Sequence, residues 1–330
     1  MVKPGDVLYA LYGATSGEVA VSRQKGAINQ AILAILPRDD CDARYITAWL
    51  RKQKGYIVTT YLQGGQGNLS GMIVKNLEVS IPSLPEQQKI GSMLSHLDSL
   101  ITLHQRKYDK LCVLKKSMLD KMFPKGGSLY PEIRFAGFTD PWEQRKLGDV
   151  ARRVTRKNEN RDSDLPLTIS AQYGLVDQRT FFNNQVASKD MSGYFLLHKG
   201  EFAYNKSTST DSPWGAIKRL EKYDMGCVST LYICFELLSG DPDFLVTYYE
   251  TDRWYKAVQL IAAEGARNHG LLNIAPDDFF ETQICIPKRI DEQRQIGAFF
   301  DRLDSLITLH QRKLELLRNI KKSMLDKMFV

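Results

Sequence analysis

The chain of 330 residues carries a formal net charge of +7 and is 43% hydrophobic, a composition typical of a folded soluble protein rather than a disordered one. No apolar run reaches the roughly 20 residues that span a bilayer, and the N-terminus has no apolar signal-peptide core, so we expect a cytoplasmic protein that does not associate with membranes. Five isolated cysteines and five histidines show no metal-ligand spacing, so we expect no metal and no other cofactor.

A sequence pI near 9.0 permits a nucleic-acid partner, but the charge is unevenly distributed. Residues 1–85, 86–123 and 292–330 are each net positive, whereas residues 131–285 are net negative. The net charge therefore does not identify the partner. A mixed, solvated surface explains the uneven charge distribution equally well.

The first predicted elements lie in residues 1–82. The apolar stretch at 27–35 is typical of a strand, and residues 42–54 have a helical pattern. The glycine-rich segment 64–71 lacks the GxGxxG spacing and the strand–helix setting of a dinucleotide site. We expect a mixed α/β domain.

A long helix is predicted over residues 86–123. It contains no proline, and its apolar residues recur in a 4-3-4-3 rhythm, the pattern of a coiled-coil seam that includes Leu97, Ile101 and His104. Ser83 and Pro85 favour a helix start, and Pro124 a stop. A helix of this length measures about 57 Å.

The next segment, residues 125–290, also combines both element types. Residues 231–235 are typical of a strand, and residues 241–256 are predicted to be helical. A second long helix follows over residues 292–329, with a seam that includes Leu303, Ile307 and His310. We interpret both histidines as packing or partner-contacting residues rather than catalytic ones.

The two long helices are copies of one another. Residues 86–123 and 292–329 are identical at 25 of 38 positions with a constant offset of 206, which indicates duplication of a large unit. The preceding domains correspond more weakly, but residues 131–200 have no counterpart before Lys3. Met1 then falls inside the first domain, which we expect to be incomplete. The sequence leaves open whether Met1 is a natural start, an expression boundary or the product of a gene rearrangement.

These observations predict an α+β fold with a pseudo-twofold internal repeat. Mixed α/β domains are joined by two long helices that form an antiparallel coiled coil. The predicted boundaries divide the chain into an incomplete first domain, a first helical arm, a complete second domain and a second arm, at residues 1–82, 83–124, 125–290 and 291–330.

The chain resembles a known family. The phrase PEIRFAGFTDPWEQRKLGDV at 131–150, together with IPSLPEQQKIGSMLSHLDSLITLHQRK at 81–107 and its second copy, is similar to the DNA-specificity subunit of Type I restriction-modification systems. The resemblance implies two target recognition domains that each read half of a bipartite DNA target, with the helices setting the gap. It also implies docking of methyltransferase and restriction subunits, and no catalysis by this subunit.

The residues themselves support a non-catalytic role. The sequence lacks the GxxxxGK[ST] phosphate loop, the GxSxG motif, the [DN]PP[YFW] methyltransferase motif and a metal-binding nuclease motif. An alternative is a truncated or silent subunit that acts only as an assembly module through its arms. Each arm could also pair with the arm of another chain, so self-association is a further partner expectation. A nuclease or methyltransferase activity of the chain itself is an alternative that we weigh lower.

Three segments of the complete domain have the polar side chains and glycines of a reader of double-stranded DNA. They are SAQYG at 170–174, YNKSTSTDSPWG at 204–215 and EGARNHG at 264–270, and an ordinary polar turn is the alternative for each. The candidate contacts are Gln172, Tyr173, Asn205, Lys206, Ser207, Thr208, Arg267 and Asn268, with Tyr12, Thr15, Gln66 and Asn68 as rough counterparts in the first domain. Candidate phosphate contacts, or simply solvated cations, are Arg152, Arg153, Arg156 and Lys157.

Overall fold

The computed structural model describes residues 1–61, 68–170, 173–182, 188, 190–210, 212–262 and 270–329. Among these residues the strands are β1 (Val7–Ala10), β2 (Val19–Val21), β3 (Ile32–Ile35), β4 (Glu143–Lys146), β5 (Ala151–Val154), β6 (Leu167–Ser170), β7 (Gly174–Asp177), β8 (Phe195–His198), β9 (Phe202–Asn205), β10 (Ala216–Arg219), β11 (Met225–Val228), β12 (Ile233–Leu237) and β13 (Gln283–Ile286). The helices are α1 (Ala43–Tyr61), α2 (Gly71–Lys75), α3 (Leu84–Lys121), α4 (Leu147–Val150), α5 (Gln178–Phe182), α6 (Pro242–Tyr248), α7 (Tyr255–Ile261), α8 (Pro276–Phe280) and α9 (Ile290–Met328). None of the helices in the described ranges is long and apolar enough to cross a membrane.

The chain forms two compact units. Unit 1 comprises Met1–Lys110 and Ile307–Val330, and unit 2 comprises Leu111–Leu306. Both long helices, α3 and α9, contribute one part to each unit. The mixed α+β architecture predicted from the sequence is confirmed.

Unit 1 contains a three-stranded antiparallel sheet in the order β2-β1-β3. Tyr9 in the central strand faces Val19 on one side and Leu33 on the other. Helix α1 covers the sheet and buries Trp49 and Ile57 in the same core. The central strand β1 is the most deeply buried of the three, as expected for a sheet with one face packed on a helix.

The two chain segments that make up unit 1 pack together in its core. Ile90 and Leu94 of α3 pack in one cluster with Phe329, which follows α9. The Phe329 ring lies 5.1 Å from the ring of Tyr45 on α1. Helix α9 therefore completes the core of a unit whose other elements lie more than 200 residues earlier in the chain.

Unit 2 contains a larger antiparallel sheet in the order β10-β9-β12-β5 and three two-stranded sheets, β11-β8, β13-β4 and β6-β7. Many inward-facing residues of these strands and helices are Phe, Tyr or Trp, so the core is rich in aromatic side chains. The largest fully buried members are Trp142, Tyr204, Tyr248, Phe123, Phe202, Phe235, Phe244, Phe279 and Phe300. Phe123, just after α3, stacks on Phe244 at 5.7 Å.

Helices α3 and α9 run antiparallel within each unit. In unit 1, Asp98 pairs with Lys321 at 2.5 Å, and His104 meets His310 with 2.8 Å between their Nδ1 atoms. In unit 2, Lys115 pairs with Asp304 at 2.5 Å. Position 104 faces its own repeat counterpart, which in an antiparallel pair of equal helices happens only near the middle of the pair. The antiparallel pairing predicted for the two long helices is confirmed.

One predicted helix is wrong in its extent. Residues 241–256 form two helices, α6 and α7, rather than one. The Thr251 hydroxyl donates to the Tyr248 carbonyl at 2.6 Å, and the indole of Trp254 donates to the Tyr249 carbonyl at 3.2 Å. These side-chain hydrogen bonds satisfy carbonyls that a continuing helix would use, so the backbone turns instead. Helix α1, in contrast, runs seven residues past its predicted end at Lys54.

The two units repeat the contacts that attach each domain to its long helix. The Gln87 side chain accepts from the Asp42 N–H at 3.0 Å and donates to the Pro82 carbonyl at 2.9 Å. Its counterpart Gln293 accepts from the Asp241 N–H and donates to the Pro287 carbonyl, both at 2.8 Å. The duplication detected in the sequence therefore extends to individual hydrogen bonds.

A glycine follows each of these glutamines by four residues, at a point where the long helix lies close to the start of a domain helix, α1 or α6. A Cβ on Gly91 would lie 2.8 Å from the Tyr45 nitrogen, and a Cβ on Gly297 would lie 2.8 Å from the Phe244 nitrogen. Both atoms are backbone at the start of a domain helix, where little can move. Any larger residue at these two helical positions would clash with backbone atoms, so glycine is required at both.

Candidate nucleic-acid interface

Two of the predicted DNA-contact segments in unit 2 come together. The Thr208 N–H donates to the Gly270 carbonyl at 2.7 Å, and the Leu272 N–H donates to the Lys206 carbonyl at 3.0 Å. The Thr208 hydroxyl also donates to Gly270, at 3.0 Å. The connection between β9 and β10 is thus held against the end of segment 264–270. Arg267 and Asn268 lie outside the described residues.

Some side chains of this connection form hydrogen bonds within the protein, and others face solvent. Asn205 accepts a hydrogen bond from the Ser207 N–H at 3.0 Å, which folds the chain back after β9. The Lys206 ammonium donates to the Ile274 carbonyl at 3.2 Å, and burial lowers the pKa of Lys206. Ser207 is exposed and adjoins Leu271 through a backbone bridge. Asn205 and Lys206 therefore shape the loop, whereas Ser207 faces solvent.

Unit 1 repeats the same backbone arrangement. The Leu69 N–H donates to the Leu11 carbonyl at 2.9 Å, and Tyr12 forms a bridge with Asn68. Thr15 lies in a short 3-10 turn and, like Tyr12, is exposed. These bridges align Asn68 with Leu271 rather than with Asn268, so the rough correspondence from the sequence shifts by three residues. Gln66 lies outside the described residues.

The third predicted segment begins at the last residue of β6 and ends at the first residue of β7. Tyr173 is 53% exposed, and its N–H donates to the Ser170 hydroxyl at 3.2 Å. The Lys222 ammonium lies over the Tyr173 ring, 5.6 Å from its centroid. Gln172 lies outside the described residues. Lys222 was missed by sequence reasoning, because nothing local connects it to Tyr173, which lies 49 positions earlier.

The four cations proposed for phosphate all have partners within unit 2. Arg156 makes two hydrogen bonds to the buried carboxylate of Glu201, at 3.0 and 3.2 Å, and these bonds outweigh burial and raise the pKa of Arg156. Arg152 pairs with Glu236 at 2.5 Å across strands β5 and β12. Arg153 lies 3.8 Å from Asp277, and Lys157 donates to the Gly193 carbonyl at 2.8 Å.

The burial of these partners indicates which of the four cations are available to bind phosphate. Arg156 is held by a buried group and acts as a structural residue. Arg152, Arg153 and Lys157 have more exposed contacts, which are weak in water and can be exchanged for a phosphate.

The predicted seam residues have two environments. Leu97, Ile101 and His104 on α3, with Ile307 and His310 on α9, are half-buried in unit 1, and Leu303 is buried in unit 2. Burial and the nearby charges of His104, Lys107 and Lys313 lower the pKa of His310. The His104 and His310 Nδ1 atoms, 2.8 Å apart, are placed for one hydrogen bond between the two rings. The described residues contain no group of three His, Cys, Asp or Glu side chains placed to hold a metal.

Comparison with known proteins supports the resemblance. Residues 2–112 match the family model of the Type I restriction modification DNA specificity domain. This part of the chain is therefore similar to a type I DNA specificity domain.

Two relatives of the family come from Methanocaldococcus jannaschii. The type I restriction enzyme MjaVIII specificity subunit is 24% identical over 154 residues, 46% of this chain and 36% of the relative. The MjaIX specificity subunit is 26% identical over 193 residues, 53% of this chain and 44% of the relative. The match thus spans less than half the length of either relative.

The fold is that of a solved specificity subunit. The crystal structure of the type I restriction-modification S subunit from M. genitalium aligns with a TM-score of 0.56 and 16% sequence identity, covering 100% of this chain and 84% of that chain. This likeness concerns the fold. The resemblance identified from the helical repeats and the segment 131–150 is confirmed.

Proposed function

We propose that this chain is a specificity subunit that recognises double-stranded DNA through the segment that follows β9 and the segment that precedes Leu271. The observation that carries the proposal is the pairing of residues 206–208 with residues 270–272, which joins two separately predicted segments into one surface. Short hydroxyl side chains, glycines and the polar pair at 267–268 are suited to base edges and closely approached phosphates. The subunit itself makes and breaks no bond.

The proposal includes a bipartite target. Unit 1 repeats the loop pairing through Leu11 and Leu69, so each unit offers one surface of the same design. The proposed domains are residues 1–82 and 125–290, and the arms between them set the gap between half-sites. With helices of about 57 Å and a DNA turn of about 35 Å, we expect a gap of between one and two turns.

The arms are proposed to dock methyltransferase subunits, with restriction subunits joining for cleavage in a cytoplasmic complex. Leu103 and its repeat counterpart Leu309 are 47% and 45% exposed in unit 1. A large apolar side chain exposed at the same place in both copies of a helix supports a protein contact.

The second candidate is an assembly module that docks methyltransferase but reads no complete target. It is favoured by a specific observation: among the described residues, the sheet of unit 1 has three strands and the equivalent sheet of unit 2 has four. Unit 1 therefore presents a smaller framework for its loops.

One selection experiment separates these candidates. The complex of this chain with its methyltransferase subunits is incubated with a random-sequence DNA pool, and bound DNA is recovered and sequenced. We expect enrichment of two short motifs at a fixed spacing. Enrichment of a single half-site would show that one unit reads DNA. Recovery without any enriched motif, from a complex that co-purifies intact, would contradict DNA recognition and support the assembly module.

A further inference from the structure

The two long helices bring a pair of histidines together in unit 1. His104 on α3 and His310 on α9 occupy the same position of the repeat, and their Nδ1 atoms are 2.8 Å apart. The ring centroids are 5.0 Å apart, with 44° between the ring planes. Both side chains are half-buried. Two ring nitrogens therefore approach each other across the seam, at a place that solvent still reaches.

Further contacts between the same two helices hold this approach in place. Asp98 on α3 pairs with Lys321 on α9 at 2.5 Å. The Arg318 guanidinium on α9 donates to the Gln105 side chain on α3 at 2.9 Å. All of these residues belong to unit 1. Because the histidines are carried by two paired helices rather than by loops, their ring nitrogens are positioned by folding itself.

The spacing of the two rings suits two ligands of one metal ion. Transition metals bind imidazole nitrogen at about 2.0–2.1 Å, so two nitrogens in neighbouring coordination positions lie about 2.9–3.4 Å apart, with ring centroids about 4.5–5.3 Å apart. The centroid separation of 5.0 Å falls within that range. The nitrogens need to separate by no more than about 0.6 Å, which small rotations of the two side chains supply.

The charges around the pair favour neutral rings. Burial, the facing His104 and two lysine charges lower the pKa of His310, so this ring is neutral at pH 7, and the neutral form is the one that binds metals. The lysines are Lys107 and Lys313, and both are exposed. Their charges oppose a metal cation as well as a proton, but salt screens exposed charges of this kind.

We propose that His104 and His310 bind one Zn²⁺ ion, or a similar divalent transition-metal ion, through their Nδ1 atoms, with solvent water in the remaining coordination positions. Imidazole is a ligand that zinc, copper and nickel share. Within the described ranges, no third His, Cys, Asp or Glu joins the pair in a metal-binding group. The site is therefore a reversible link between α3 and α9 in unit 1, in contrast to a structural zinc centre with four protein ligands.

Calorimetric titration of Zn²⁺ into the full chain, without an affinity tag, tests the proposal. No DNA is present, so its failure is separate from failure of DNA recognition. We expect one saturable site that His104→Gln and His310→Gln each weaken at least about tenfold, because even the loss of an outer contact to a ligand costs that much. Glutamine keeps a polar side chain of similar size in the seam. His96→Gln, which changes an exposed histidine on the same helix, is the matched control and should leave the site unchanged.

Acid and salt make the test specific, and both are applied to the unchanged chain, so the result does not depend on a variant that folds. Binding should be lost as the pH falls below about 6, since protonated rings do not bind metal. Binding should persist or strengthen as salt is raised, because Lys107 and Lys313 repel the ion, whereas adsorption to surface carboxylates would weaken. Absence of a saturable site, a site that survives either seam substitution, or binding that salt weakens would overturn the proposal.

Discussion

A single buried carboxylate ties the front of unit 2 to the start of helix α9. Glu292 is enclosed by the Arg134 guanidinium and the Trp142 indole, so its charge is fully compensated. Removing one member of a buried charge pair leaves the other desolvated without a partner, which is among the costlier single changes in a protein. Glu86 carries the same chemistry at the equivalent position, with its carboxylate in solvent.

We expect Glu292→Gln to lower the free energy of unfolding of unit 2 by about 3 kcal/mol. Glu86→Gln, its matched control, should change stability by no more than about 0.5 kcal/mol. Urea unfolding followed by tryptophan fluorescence measures both, because Trp142, Trp214 and Trp254 lie in unit 2 and Trp49 in unit 1. Equal losses in the two variants would contradict the anchoring role of Glu292.

At the scale of elements, glycine controls how closely the domain helices approach the long helices. A methyl group on Gly297 would meet the Asp243 side chain at 2.7 Å and the Phe244 nitrogen at 2.8 Å. The long helix would have to move away from α6, although alanine is the better helix former. Overlap with backbone therefore outweighs helix propensity here.

Gly297→Ala should accordingly destabilise the chain by about 1–3 kcal/mol. Gly55→Ala in α1 is the control, since its Cβ would meet nothing within 4 Å, and it should stabilise by up to about 1 kcal/mol. Thermal unfolding by circular dichroism gives both shifts. A gain in stability for Gly297→Ala would show that the helices are not in close contact at this point.

The sequence predicted the long helices well and the short ones less well, for a physical reason. Helices α3 and α9 are specified by a local rhythm of apolar residues that occurs twice. The break between α6 and α7 depends on where the side chains of Thr251 and Trp254 find hydrogen-bond acceptors, which periodicity does not encode. The extent of the second domain helix was wrong for this reason.

For the candidate interface, too, features set by local sequence were predicted and features set by tertiary contacts were not. The segments 205–208 and 264–270 were found from local composition, and hydrogen bonds to Gly270 and Leu272 bring the described ends of the two segments together. Glu236, the partner of Arg152, lies on strand β12, 84 positions away, and Glu201, the partner of Arg156, lies just before β9, 45 positions away. Both ion pairs therefore arise only from the tertiary fold. Sequence alone could not distinguish a free cation from a paired one.

At the scale of the whole molecule, two units of one design differ in how completely their strands are covered. Strand β12 has neighbours on both edges, whereas β3 has one described neighbour and is half-buried. Protection of an amide from exchange depends on the free energy of opening the structure around it. Equivalent strands in the two units should therefore differ in protection.

We expect amides of β3 to exchange at least about tenfold faster than those of β12 under native conditions, a difference of about 1.4 kcal/mol. Hydrogen–deuterium exchange with mass spectrometry, on peptides that cover 30–37 and 231–239, makes the comparison within one molecule. The parts of α3 and α9 that pack in each core serve as internal references. Equal protection of β3 and β12 would contradict the lower stability expected for unit 1.

The contact between Tyr45 and Phe329 has a consequence for synthesis of the chain. The core of unit 1 needs a residue that leaves the ribosome some 220 positions after Lys110. At about 5–20 residues per second, this takes on the order of ten to forty seconds. Unit 2 consists of one uninterrupted stretch and can fold during that interval. Unit 1, most of whose residues precede unit 2 in the chain, is therefore completed only after unit 2, and a nascent-chain chaperone would find its apolar surfaces exposed until Phe329 has been made.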